Sequence, residues 1–118
     1  MKAAPGSTKH VLRKLLGTLP AVEERESLGA SEFLVMGRRF CAVLAEGGIA
    51  VRAEEVGFRK YLENLNGSRM LVQYPGERWV KLPPGIGTHP GLLMDLVEPA
   101  YYEAIAEGLR RAVRLDRD

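Results

Sequence analysis

The sequence predicts an α+β domain: one antiparallel sheet packed in two layers against helices, in the order α-β(3)-α-β(2)-α. Three observations carry this. The spacing of apolar residues changes along the chain from helical to alternating and back to helical. The alternating runs are joined by short glycine turns of the kind that close hairpins. The chain has 118 residues, 46% apolar and 27% charged, which is the size and composition of one globular domain.

Residues 1–7 are expected to form a flexible tail. Ser7 or Thr8 supplies a hydroxyl to cap a first helix, and Val11, Leu12, Leu15, Leu16 and Leu19 form its apolar stripe up to the breakers Gly17 and Pro20. A weak strand is expected at Arg25–Leu28. Phe33 and Val35 then alternate with Leu34 and Met36, Gly37-Arg38 reads as a turn, and Phe40, Ala42 and Leu44 alternate with Arg39, Cys41 and Val43. Strict alternation places Phe33, Val35, Phe40, Ala42 and Leu44 on the core face. It puts Leu34, Met36, Cys41, Val43 and Leu71 on the other face. After the Gly47-Gly48 turn, Ile49 and Val51 continue the meander.

Glu54 and Glu55 suit the positive N-terminal end of a second helix, with Phe58, Tyr61, Leu62 and Leu65 as its stripe and Asn66-Gly67 as its stop. Strands are expected at Met70–Tyr74 and Arg78–Leu82, with Pro75-Gly76 in a type II turn between them. Residues 83–91 read as a loop and Leu92–Val97 as a short helical turn. Pro99 fits the first position of the last helix, whose stripe is Tyr102, Ile105, Leu109 and Val113. Residues 114–118 are expected to fray.

Composition bounds the function. The net charge of +2, from 17 basic and 15 acidic residues, is too small to imply nucleic acid or an anionic membrane by itself. Arginine outnumbers lysine 12 to 5. One cysteine, Cys41, leaves no intrachain disulfide and fits a reducing compartment. No apolar run nears the ~20 residues of a membrane span, and the first residues carry no hydrophobic signal region. The expected location is cytoplasmic. No catalytic residue, metal ligand or cofactor site is assigned. His10 and His89 belong to no motif, Cys41 reads as a small core residue, and Gly85-Ile86-Gly87 lacks the rest of a phosphate-binding loop. Glu23, Glu24 and Glu26 read as a solvated edge.

The chain resembles the MmcQ/YjbR family. Leu19-Pro20, Val22-Glu23-Glu24, Gly29 and Phe33-x-Val35-x-Gly37-Arg38-x-Phe40-Cys41 are similar to its N-terminal half. Arg78-Trp79-Val80-x-Leu82 and the Val97-Glu98-Pro99 helix continue the likeness, over roughly residues 11 to 113. The N-terminal domain of TfoX-like regulators shares the strand pattern and is the nearest alternative. The resemblance implies the α-β(3)-α-β(2)-α fold, no enzymatic activity and a DNA-binding or regulatory role. The chain departs from the family at Tyr74–Trp79, where an Asn-Lys-x-His-Trp stretch is common, and in its longer 83–91 loop.

Two readings of function follow. One is nucleic-acid binding, with Arg38, Arg39, Arg52, Arg59, Lys60, Arg69, Arg78 and Lys81 as basic positions for phosphates, Trp79 stacked on a base if exposed, and Arg110, Arg111, Arg114 and Arg117 on the last helix, three of them on one face. The other is a protein-interaction domain acting as a homodimer, because one helical layer covers only one face of such a sheet. On this reading the second face is covered by Leu92–Leu96 or by a partner. A ligand pocket lined by Tyr74, Trp79, Tyr101 and Tyr102 has no motif behind it.

Overall fold

A computed structural model describes residues 8–72 and 74–117, so the expected tail at 1–7 lies outside the described residues. The chain forms α1 (Thr8–Leu16), β1 (Glu23–Ser27), β2 (Ala30–Val35), β3 (Arg38–Val43), β4 (Ile49–Arg52), α2 (Val56–Glu63), β5 (Arg69–Leu71) and β6 (Trp79–Lys81). A 3-10 turn at Ile86–Thr88 and α3 (Pro90–Arg117) complete it. All six strands pair antiparallel in the order β1-β2-β3-β4-β6-β5. The α+β class is as expected, with the weak first strand present and four strands ahead of α2.

Turn chemistry sets the first two hairpins. Leu28 and Gly29, then Met36 and Gly37, all have positive φ, between 51° and 82°. Two left-handed residues in succession match the right-handed twist of the flanking strands. The second turn is thus Met36-Gly37, one residue before the expected Gly37-Arg38. The leucine and methionine hold this strained conformation beside a glycine, which adopts it without a steric penalty.

The face assignment is where strict alternation fails. Phe33 pairs with Cys41 but Leu34 pairs with Arg39, so Phe40 is an extra residue, a β-bulge in β3. Phe40 and Cys41 therefore both turn toward the helices. Beyond the bulge Val43 follows them, while Ala42 and Leu44 pass to the opposite face. Cys41 and Val43 belong to the main core, and Ala42 and Leu44 do not.

The helical layer covers that core face. Leu12 and Leu16 of α1, Leu62 of α2 and Leu93, Leu96, Val97, Ala100, Tyr101 and Ala104 of α3 pack with Phe33, Val35, Val51 and Val80. Arg13 of α1 forks both nitrogens onto Glu24 of β1 at 2.7 Å, and Lys9 lies 3.5 Å from Glu26. The acidic edge strand is thereby tied to α1. Glu55 caps α2 by accepting the Phe58 N–H, and Glu103 of α3 accepts the N–H groups of Glu54 and Glu55 at 2.9 and 3.1 Å.

The last helix differs most from expectation. It is one 28-residue helix with Pro99 inside it, not a helix that Pro99 begins. Proline in a helix interior costs about 3 kcal/mol through a lost hydrogen bond and a clash with the preceding turn. Burial of Leu93, Leu96 and Val97 before it, and of Ala100, Tyr101 and Ala104 after it, holds the helix through this point. The helix continues to Arg117, through residues expected to fray. The buried ridge is not the predicted stripe: Tyr102, Leu109 and Val113 are each more than half exposed. On α2, Tyr61 is likewise exposed rather than core.

The adjacent tyrosines of α3 test this orientation. Tyr101 is buried and its hydroxyl donates to the Pro20 carbonyl at 2.7 Å. Urea unfolding should give a loss of about 3–5 kcal/mol for Tyr101→Ala and about 1 kcal/mol for Tyr101→Phe. Tyr102→Ala should cost about 1 kcal/mol or less. Equal losses at the two positions would contradict the placement of the helix.

Candidate interaction surface

The second face of the sheet carries Ala42, Ala50, Trp79 and Leu71. Leu93 and Leu96 pack in the main core on the opposite face and do not cover it. The connection from β5 to β6 folds back across it. Pro75-Gly76 makes the turn, with Gly76 at φ 80° and the Glu77 N–H donating to the Tyr74 carbonyl at 3.1 Å. This sets Tyr74 over Trp79, with ring centroids 4.7 Å apart.

Two carboxylates lock this strap. The Tyr74 hydroxyl donates to Glu32 at 2.9 Å, and Glu32 is 2% exposed with Arg25 and Arg39 each 3.7 Å away. Glu77 accepts two bonds from Arg39, both at 3.2 Å, and the Trp79 indole N–H at 2.9 Å. The Arg39 guanidinium also lies 4.3 Å from the centre of the Tyr74 ring, within cation–π range. Burial raises the Glu77 pKa, but the bonds from Trp79 and Arg39 and the charge of Arg52 outweigh it and hold the carboxyl below its ordinary range. Burial, then donation to Glu32, pushes the Tyr74 hydroxyl up to about 12.

The strap engages three of the residues expected to touch nucleic acid, Trp79, Arg39 and Arg52. Trp79 is fully buried, so the condition for stacking on a base is not met. Arg39 belongs to Glu77 and Glu32. Arg52 donates to Glu54 at 2.8 Å and lies 3.6 Å from Glu77. Lys81 pairs with Glu46 at 2.6 Å. Arg78 is exposed, and its backbone N–H donates to Glu54. Arg38 is half-buried and, among the described residues, has no carboxylate within ion-pair distance. Burial and the like charge of Arg52 lower its pKa. Among the described residues, Arg38, Lys60, Arg69, Arg78 and Arg111 are the expected contacts not engaged in side-chain ion pairs.

A surface feature not visible in the sequence lies on α3. At 1.5 Å per residue a 28-residue helix is about 42 Å long, whereas β3, with six residues, spans about 20 Å. The helix outruns the sheet, and every residue from Leu109 to Arg114 is exposed. The outer side of α3 bears Tyr102 on the packed half and Leu109 and Val113 on the projecting end in the open, with Met36 of the β2–β3 turn, 48% exposed, at the root of the projection. Gly108 permits that junction, because a Cβ there would sit 2.8 Å from the Met36 sulfur. These apolar residues had been assigned to the core. The signal that could have separated them is the length of unbroken helical pattern around Pro99, which a short sheet cannot cover.

Other features offer less chemistry. A cleft of about 330 Å³ lies between Gly47-Gly48 and the Pro83–Thr88 turn, but the charge of Lys81 at its rim is already neutralised by Glu46. Cys41 is buried, and burial pushes its thiol pKa up, away from the reactive thiolate. Of the four aromatics proposed as a pocket, Tyr74, Trp79 and Tyr101 are packed in the interior. Among the described residues no group of three His, Cys, Asp or Glu is placed to hold a metal ion, and no helix is long and apolar enough to cross a membrane. No family model, curated protein or solved structure matches the chain.

The strap makes a pH-dependent prediction. Because the Glu77 carboxyl titrates below the ordinary value of 4.5, its contribution is complete above that value. It is lost as pH falls through the lower, folded value. Glu77→Gln should therefore be less stable than the wild type at neutral pH, with the gap closing below about pH 4. Urea midpoints across this range, followed by fluorescence of the single tryptophan, measure it. A gap that stays constant with pH would show that the charge of Glu77 is irrelevant.

Proposed function

We propose that this chain is a non-catalytic protein-interaction module that works as a homodimer, using the outer side of α3 as its contact surface. The observation that carries the reading is the row of Tyr102, Leu109 and Val113, exposed on the side of a helix that already buries a separate apolar ridge. Apolar side chains grouped in this way, rather than scattered singly, mark surfaces that meet a partner. In the middle of the sheet α3 and the strap close the two faces. The projecting half is short, so its contact is smaller than a standard interface and the affinity should fall in the micromolar range.

Sedimentation velocity over micromolar concentrations tests this. The wild type should show reversible, concentration-dependent dimerisation, and Leu109→Glu should be monomeric with unchanged circular dichroism. A wild type that remains monomeric at every concentration, or a Leu109→Glu variant that dimerises like it, would reject the reading.

A second reading, nucleic-acid binding, draws on Arg38, which is half-buried beside Arg52 without a carboxylate of its own, and on exposed Arg78 at the same end of the sheet. Anisotropy of a labelled duplex at low salt tests it. Binding that weakens steeply with salt, and weakens further in Arg38→Ala, would support it. No binding at low salt would remove it.

A further inference from the structure

The sheet ends on two edge strands, β1 and β5, and they are built differently. We infer that the free edge of β5 takes up an acidic, extended segment of another protein as a seventh strand. This surface is separate from the outer side of α3, and the inference does not rest on self-association.

Register shows which backbone groups are free. The Ala53 N–H donates to the Arg78 carbonyl and the Leu82 N–H to the Ile49 carbonyl, each at 2.8 Å. Hydrogen-bonded pairs recur at every second residue of an antiparallel ladder. Val80 therefore turns both its backbone groups toward Val51 of β4. Trp79 and Lys81 turn theirs the other way, toward Leu71 and Arg69 of β5. Met70, between those two, is left with its N–H and C=O pointing out of the sheet. The Val72 N–H points the same way, because a trans peptide sets it opposite the Leu71 carbonyl. None of these three groups bonds to the backbone of another described residue. The side chains are open as well: Met70 is 43% and Val72 91% exposed. The other edge is protected in the usual way, by charge. It carries Glu23, Glu24, Arg25 and Glu26, and Arg13 and Lys9 of α1 hold two of its acids.

Charge selects the occupant. Arg69 opens β5, and Arg78 lines a groove of about 340 Å³ between Leu71 and the Tyr74-Pro75 turn. Both are exposed, and among the described residues neither is in a side-chain ion pair. The acids close to them are already held. Glu46, within electrostatic reach of Arg69, pairs with Lys81 at 2.6 Å. Glu77 accepts from Arg39 and Trp79. A second copy does not supply what is missing: its β5 carries no acid, and Glu24 and Glu26 of its β1 are tied to α1. In an added strand successive side chains point to opposite faces. Apolar residues would then lie beside Met70, and acids beside Arg69 on the other face. Main-chain bonds supply affinity in strand addition of this kind, and the alternate side chains supply specificity.

The test is a titration of the full chain, followed by backbone amide NMR, with two capped peptides. One alternates valine with glutamate and the other valine with lysine. The glutamate peptide should bind saturably, shift the amides of residues 69–72 and slow exchange of the Met70 and Val72 N–H groups at least about 10-fold. The lysine peptide should bind at least about 10-fold more weakly. Met70→Pro removes the outward N–H and spares the ladder to β6. It should weaken binding of the glutamate peptide at least about 10-fold. Arg69→Glu, an exposed change that stands whether or not the proline variant folds, should remove the preference for glutamate over lysine. Leu109→Glu should bind like the wild type, which separates this surface from α3. No binding of the glutamate peptide, equal binding of the two peptides, or shifts centred away from residues 69–72 would overturn the inference. Self-association that Met70→Pro abolishes would also overturn it, by making a second copy the occupant.

Discussion

The structure depends on closing both faces of a six-stranded sheet that is apolar in the middle on each side. An antiparallel sheet can leave one face to water only if that face is polar. Here β3 and β4 bury every side chain except those at their ends, so each face needs a cover. Helices supply one. On the other face Trp79, the largest side chain in the interior, is covered by Tyr74 and the turn that follows it, and irregular chain brings polar groups that must be satisfied. Tyr74 and Glu77 meet that requirement by bonding to Glu32, Arg39 and Trp79.

This solution has a consequence for the surface charge. A buried carboxylate needs cations close by, and the chain provides them from the strands whose side chains share that face. Arg39, Arg52 and Arg25 are drawn toward Glu77 and Glu32. In the sequence Arg39 and Arg52 look like free basic positions, but in the fold they neutralise carboxylates of the strap and its neighbours. Removing one member of such a network leaves its partner buried and unpaired, which costs more than the intact pair contributes. The network acts chiefly to fix the position of the strap.

Much of the fold was legible because its signals are local. The stripe of α1, the glycine turns and the acidic start of α2 are each encoded within a few neighbouring residues. What was not legible depends on distant pairing. The bulge at Phe40 has no residue type that announces it, yet one extra residue exchanges the faces of Cys41, Ala42 and Val43. Pro99 favoured a helix start by local preference, and burial on both sides overrode that preference. The partnership of Glu77 with Arg39 spans 38 residues and exists only because β6 inserts between β4 and β5. The candidate surface was hidden for the same reason: Leu109 and Val113 have the spacing of a core stripe, and only the length of the sheet determines that they have nothing beneath them.

The two apolar faces of α3 have different consequences. Leu93, Leu96, Val97, Ala100, Tyr101 and Ala104 build the core, whereas Tyr102, Leu109 and Val113 stay open to water. Covering that row would gain roughly 25 cal/mol for each Å² removed from water, a force that is indifferent to direction. Gly108 against Met36 ties the helix to the β2–β3 turn just where its exposed end begins. The charges nearby are committed within the chain: both oxygens of Glu103 accept the N–H groups that open α2, and Glu107 pairs with Arg110. The row is therefore bordered by charges that already have partners, and its apolar side chains are what a contact would use.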